Sequence, residues 1–359
     1  MKILYLTKYT RMAGSSRMRS FQYIPYLEKE GMKVTVKPFF DDAYLKDFYA
    51  GKKNVPAVLK AYIKRFLTLF TVFSYDKIVV EKEIFPYLPA FAEKMLNVLG
   101  MKYIADYDDA IFHNYDQSSN PVIQKLLGNK IGKVMKYSST VVAGNGYLAE
   151  YAKKSGARKV EIIPTVIDLN RYSVKESGDA DPFVVGWIGT KTTFEKHLLP
   201  CRKWIKNIQY ENPDIWFHII GITEDMDLGS HVKYIPWSEK TEANEILKTD
   251  VGIMPLQDSL WEKGKCAYKL IQYAACGIPG IASDVGMNAE VTLNGETGFL
   301  VGSDEEWIRR ILELKDNPEQ RKKMGANARN LVERKYCIQV TAKNWIKILK
   351  SLDGKQTVF

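Results

Sequence analysis

Residues 183–221, FVVGWIGTKTTFEKHLLPCRKWIKNIQYENPDIWFHIIG, decide the fold. Phe183–Ile188 is an unbroken apolar run of strand length, 194–208 carries apolar residues at helical spacing, and 215–221 is apolar again. Strand, helix and strand in succession give a crossover, so the two strands run parallel with the helix on one face. Downstream, 232–234, Val251–Met254 and 280–282 read as further strands, with helices over 243–247 and 268–276. Upstream the same alternation has already run once. Lys2–Leu6 is a strand, Gly14-Ser15-Ser16-Arg17 a loop, and Phe21, Ile24 and Leu27 mark a helix. Apolar runs at 34–36, 77–80, 103–105, 140–143 and 160–163 continue the strands. Alternation of this kind makes an α/β chain with doubly wound parallel sheets. The polar stretch 174–182, VKESGDADP, reads as a linker between two Rossmann-like domains, 1–173 and 183–339. The helical spacing over 340–352 suggests a last helix that crosses back onto the first domain.

At 359 residues the chain fits two domains. With 46% hydrophobic and 26% charged residues, disorder as the main state is excluded. No apolar run reaches the ~18–20 residues of a spanning helix, and MKILYLTKYTRM lacks the apolar core of a signal peptide, so a cytoplasmic location is expected. The cysteines, Cys201, Cys266, Cys276 and Cys337, form no CxxC pair, and four histidines make a metal centre unexpected. The net charge is +10, and residues 1–165 alone hold 26 Lys/Arg against 15 Asp/Glu. A basic half suits nucleic acid, anionic lipid or a phosphorylated substrate, or simple solubility. No nucleic-acid recognition motif accompanies the charge. The first loop has neither GxGxxG nor GxxxxGK[ST], which disfavours a dinucleotide dehydrogenase and a P-loop NTPase.

The chemistry is concentrated in residues 256–301, which contain CGIPGIAS, GMNAEV and NGETGFLV in order. With Val184-Val185-Gly186-Trp187-Ile188-Gly189-Thr190 and Ile163-Pro164-Thr165-Val166-Ile167-Asp168, this series resembles the retaining GT-B glycosyltransferases of the family-four type, over nearly the whole chain. The resemblance implies two facing Rossmann-like domains and a nucleoside-diphosphate sugar bound by the second. Lys263, Lys265 and Lys269 lie at the start of the helix over 268–276, where free N–H groups and the helix dipole already favour an anion. Cys266 and Ala267 lead into that helix and are candidate donor contacts. The family pattern has two glutamates eight positions apart, one on the sugar and one on the ribose. Here those positions hold Gly264 and Gln272, with Glu262 two residues before the first. Glu262 is therefore assigned to the sugar and Gln272 to the ribose, a glutamine keeping hydrogen-bonding capacity without the charge. The pyrophosphate would meet the loop Gly189-Thr190-Lys191, with Lys196 in reserve, and Glu290 resembles a family glutamate near the donor or is a plain helix-start carboxylate.

In the first half, ADYDDAI over 105–111 places Asp106, Asp108 and Asp109 after a strand. Such carboxylates bind a metal, act as acid and base, hold a sugar hydroxyl, or sit in a surface turn. By resemblance Asp108 and Asp109 orient the acceptor. Gly14, Ser15 and Arg17, with Arg19, resemble the family's first loop near phosphate or acceptor, and His113 reads as structural. No metal or other cofactor is expected, since lysines can neutralise the leaving phosphates. A saccharide acceptor, lipid-linked in envelope polysaccharide synthesis, would suit a basic protein at the inner face of the cell membrane. The stretch 52–73 has Leu59, Tyr62, Ile63, Phe66 and Phe70 at helical spacing beside Lys60, Lys64 and Arg65. It either lies on an anionic membrane or turns its apolar side to the core. Gly264 and Gln272 leave open a non-catalytic GT-B scaffold that binds nucleotide or a partner.

Overall fold

The computed structural model describes residues 1–175 and 182–351. The chain splits into two compact units, one of Met1–Thr165 with Gly264–Cys266 and the residues from Thr341 onward, the other of Val166–Lys263 with Ala267–Val340. This division falls between Thr165 and Val166, eight residues before the domain end expected from sequence. Most of the expected linker, 176–181, lies outside the described residues.

The first unit is built on a six-stranded parallel sheet. Its strands are β1 (Lys2–Leu6), β2 (Lys33–Val36), β3 (Lys77–Glu81), β4 (Tyr103–Tyr107), β5 (Thr140–Ala143) and β6 (Val160–Ile162), in spatial order β2-β1-β3-β4-β5-β6. β1, β3, β4 and β5 are buried on both faces apart from Lys2, as expected of strands covered by helices on either side. The register pairs Leu6 with Val80 and Glu81 with Asp106, so charged residues gather at the carboxyl ends of the central strands.

The second unit repeats the plan. β7 (Phe183–Ile188), β8 (Ile215–Ile220), β9 (Val232–Ile235), β10 (Val251–Met254), β11 (Gly280–Ser283) and β12 (Gly298–Val301) are all parallel, in order β12-β11-β10-β7-β8-β9. Its core includes Trp187, Phe194, Phe217 and the stacked pair Trp204–Trp307, whose ring centroids lie 5.6 Å apart. The single helix expected over 194–208 is a π turn at Phe194–Leu198, a 3-10 turn at Leu199–Cys201 and an α-helix at Arg202–Glu211. The last helix, Ile338–Ser351, begins in the second unit and continues in the first, where Trp345 donates its indole N–H to Tyr5 Oη at 2.6 Å. In doubly wound sheets ligands sit beyond the carboxyl ends of the strands where strand order reverses. That point is β1/β3 in the first unit and β7/β10 in the second.

Candidate active site

Beyond β7, Gly189 closes the strand with its N–H on Ile220 O at 2.9 Å. Any Cβ there would lie 2.5 Å from the Trp187 ring, so the turn requires glycine. Thr190 then caps a short helix through a reciprocal box with Thr193. Lys191, exposed, pairs with Glu224 at 2.8 Å, and Lys263 pairs with Asp258 at 3.1 Å. The following π turn carries Lys196 and His197, both of which reach Glu262. Lys196 Nζ stands 2.6 Å from Glu262 Oε1 and His197 Nε2 at 3.4 Å, while Ser259 Oγ donates to the other oxygen. The Glu262 side chain is fully buried; burial alone would raise its pKa, yet hydrogen bonds from Lys196 and Ser259 hold it below the ordinary value. Two candidates drawn separately from sequence, one for the sugar and one for the pyrophosphate, therefore form one ion pair.

The helix expected over 268–276 runs from Tyr268 to Ala275. Ala267 precedes it in a left-handed conformation, φ 49°, which aims the first N–H groups without a side-chain cap. Lys269 lies over the Trp187 ring at 4.0 Å. Gln272 is buried, and its amide donates to Tyr172 Oη at 3.0 Å; that hydroxyl donates to Glu242, which also receives Arg171 at 3.0 Å and the Trp237 indole N–H at 2.8 Å. The residue assigned to the ribose is thus tied into a buried network of the same unit. Glu290 sits exposed in the short helix Asn288–Val291.

The structure corrects two expectations about the first unit. Gly14-Ser15-Ser16-Arg17 is not a loop but most of the helix Gly14–Arg19. Arg19 does not stand ready for a phosphate: it is buried, its Nε and Nη2 meet Asp106 at 3.0 and 2.5 Å, and Nη1 donates to Ile163 O at 2.7 Å. The expected candidates Ser15 and Asp108 do come together, Ser15 Oγ donating to Asp108 at 2.5 Å. Lys82 completes the group, 3.0 Å from Ser15 Oγ and 3.1 Å from Asp108. Burial works against the Lys82 charge, but Asp108 and Asp109 outweigh it and raise its pKa. Beside it Ser16 donates to Glu81 at 2.8 Å, and burial lifts Glu81 to about 7. Arg17 is buried in the same helix, and a Cβ on Gly14 would have only the Arg17 guanidinium, 4.0 Å away, as neighbour.

Asp109 is lifted to about 6 by burial and then by the neighbouring Asp108 charge, against the pull of Lys82, Lys265 and Lys8. Lys265 belongs to the segment Gly264–Cys266 that clusters with this unit. Asn145 donates to Gly264 O and Lys265 O, each at 3.0 Å, and Cys266 Sγ donates to Asp108 O at 3.0 Å. A Cβ at Gly264 would fall 2.4 Å from Ala110 Cβ. A side chain has no room at this position, which accounts for the glycine. His113 is held structurally by Asp116 at 2.8 Å and Tyr147 at 2.9 Å. Sequence reasoning missed Glu81 and Lys82, although charges directly after the apolar run 77–80 were a visible signal. Tyr172 and Glu242 had none, because only folding brings them to Gln272.

Among the described residues, no group of three or more His, Cys, Asp or Glu is arranged to hold a metal ion. Residues 192–331 match the model of the family described as glycosyl transferases group 1. A stretch of 78 residues, 22% of this chain, is 37% identical to trehalose synthase of Pyrococcus horikoshii, and the chain matches 19% of that protein's length. Among solved structures, HepE of Anabaena in complex with UDP-glucose aligns with a TM-score of 0.70 at 16% identity, covering 98% of this chain and all of that one. Sucrose-phosphate synthase from Thermosynechococcus elongatus aligns with a TM-score of 0.68 at 12% identity, covering 98% and 99%. Parallel six-stranded sheets in both units and these alignments establish the GT-B fold. The second unit, from just after β7 through β10, β11 and β12, is thus similar to the glycosyl transferases group 1, in a chain of GT-B fold.

Proposed function

We propose that this chain is a retaining glycosyltransferase that moves a sugar from a nucleoside-diphosphate sugar to a hydroxyl of a saccharide acceptor. The observation that carries the reading is that in the second unit the Gly189 turn packs on Trp187, Lys269 of helix Tyr268–Ala275 lies over the same ring, and Lys196 pairs with Glu262. Backbone N–H groups and lysines in that position stabilise charge on departing phosphates. The bond between the anomeric carbon and the diphosphate breaks, the acceptor oxygen bonds to that carbon on the same face, and its proton passes to the leaving phosphate. No side-chain base is needed. Lys196 and Lys269 supply charge that a metal would otherwise provide, and on donor binding Lys196 exchanges Glu262 for phosphate, freeing the carboxylate for the sugar. Asp108 and Asp109, with Lys265, orient the acceptor from the first unit.

UDP-glucose in the related HepE structure supports a nucleotide-sugar donor. A lipid-linked saccharide in envelope polysaccharide synthesis, reached by peripheral contact with the inner face of an anionic membrane, completes the reading. The second reading, a non-catalytic scaffold, is favoured by the packed Gly264 and by Gln272 held on Tyr172. Release of UDP from UDP-glucose on addition of membrane-extracted saccharide lipids, followed by NMR of the new anomeric centre, separates the two. Turnover lost in Glu262→Gln supports the enzyme. An inverted anomer refutes retention, and no turnover with any nucleotide sugar favours the scaffold.

A further inference from the structure

The helix Val55–Leu69 is inside out relative to the core-facing alternative. Its buried residues are Ala61, Arg65, Thr68 and Leu69, with Arg65 donating to Thr7 O at 2.7 Å and Lys37 O at 3.1 Å. Leu59, Ile63, Phe66, Leu67 and, just past its end, Phe70 are each more than half exposed. At 100° per residue these five make one stripe, and Lys60 and Lys64 run along one edge of it. The neighbouring helix Phe91–Val98 does the same with Phe91, Met95 and Val98. Tyr62 stacks on Phe85 and Phe85 on Phe91, with centroids 6.0 and 5.7 Å apart, so ring contacts join the two helices. Fifteen of the twenty-five exposed large apolar side chains among the described residues fall between Phe48 and Leu99. Scattered apolar residues need no explanation, but a concentration of this kind marks an interaction surface.

We infer that this face is an interfacial docking surface for an anionic lipid bilayer. The charge pattern selects that occupant. From Phe48 to Tyr75 the sequence has no Asp or Glu, and the exposed charges are Lys52, Lys53, Lys60 and Lys64, with Lys94 exposed on the second helix. A second copy of this chain would oppose lysine to lysine, whereas phosphate headgroups neutralise them while the aromatic and aliphatic side chains enter the acyl boundary. Lysine stems reach from an apolar stripe to headgroups without strain. The inference gives a surface to the membrane contact in the proposed function and rests on that part of the reading alone.

The test is co-sedimentation of the full chain with vesicles of phosphatidylcholine, with or without phosphatidylglycerol, at low and high salt. Binding only to the anionic vesicles, weakened by salt, is expected. Paired Phe66→Ser and Phe70→Ser, and separately paired Lys60→Glu and Lys64→Glu, should each lower the partition constant about tenfold or more. The thermal midpoint and its response to nucleoside diphosphate should stay unchanged, which shows that the variants fold and keeps the donor reading separate from this one. Failure to bind anionic vesicles, equal binding to neutral ones, or a dimer that Phe66→Ser with Phe70→Ser dissolves would each overturn the inference.

Discussion

The two units present the same architecture and opposite electrostatics. At the β1/β3 end of the first, Arg19 pairs with Asp106 and Lys82 with Asp108, all four buried, and the buried Glu81 accepts from Ser16. Around the β7/β10 end of the second, Lys191–Glu224 and Lys263–Asp258 are exposed pairs, and Lys196, itself exposed, pairs with the buried carboxylate of Glu262. A buried pair is costly to break because one charge is left without water or partner, while an exposed pair is nearly free to exchange. On the proposed function, the first arrangement would be a fixed frame for an acceptor hydroxyl and the second a set of cations that change partners when a diphosphate arrives.

Breaking the contrast should start with Arg19→Met. It strands Asp106, which is almost wholly buried, and is expected to cost about 3–5 kcal/mol in chemical denaturation. Lys196→Ala leaves Glu262 with Ser259 and His197 only, and about 1–3 kcal/mol should be lost. The sign with pH follows from the depressed Glu262 pKa: its contribution is present above the unfolded value and lost as pH falls through the folded one, so the difference between wild type and Lys196→Ala should shrink in acid.

Asp109 works the other way. With its pKa raised to about 6, the native state holds a proton that the unfolded chain releases near 4, so this group removes stability as pH climbs through that window. Asp109→Asn should recover roughly 1–2 kcal/mol at neutral pH while impairing transfer, and the wild-type rate should rise with an apparent pKa near 6 that the variant lacks. Lys191→Ala should leave the chemical-denaturation midpoint essentially unchanged, since its pair with Glu224 is open to solvent. A loss as large as that of Arg19→Met would erase the distinction between the two ends.

Much of the fold was legible because parallel strands buried on both faces are continuous apolar runs, as in Phe183–Ile188 and Lys77–Glu81. Boundaries failed where the deciding interaction was not local. Gly14–Arg19 is helical although Ala13 offers no capping side chain, and Asp106 belongs to β4 because Arg19, 87 residues earlier, neutralises it. Helical periodicity found the stripe Leu59, Ile63, Phe66, Phe70, but periodicity does not say which face meets the core; the carbonyls of Thr7 and Lys37 decide it by accepting Arg65. In the site, the motifs singled out Glu262 and Gln272 from their spacing to Gly277 and Gly264. Their present partners, Lys196 and Tyr172, lie 66 and 100 residues away and became visible only in three dimensions.

Whether the second unit binds a nucleoside diphosphate is decided by titrating UDP, GDP, ADP and CMP against the thermal midpoint. A ligand that binds only the native state raises the midpoint with the logarithm of saturation. One nucleoside diphosphate should raise it, with a smaller response in Lys196→Ala. No shift with any of the four would contradict the donor site and leave the scaffold reading in its place.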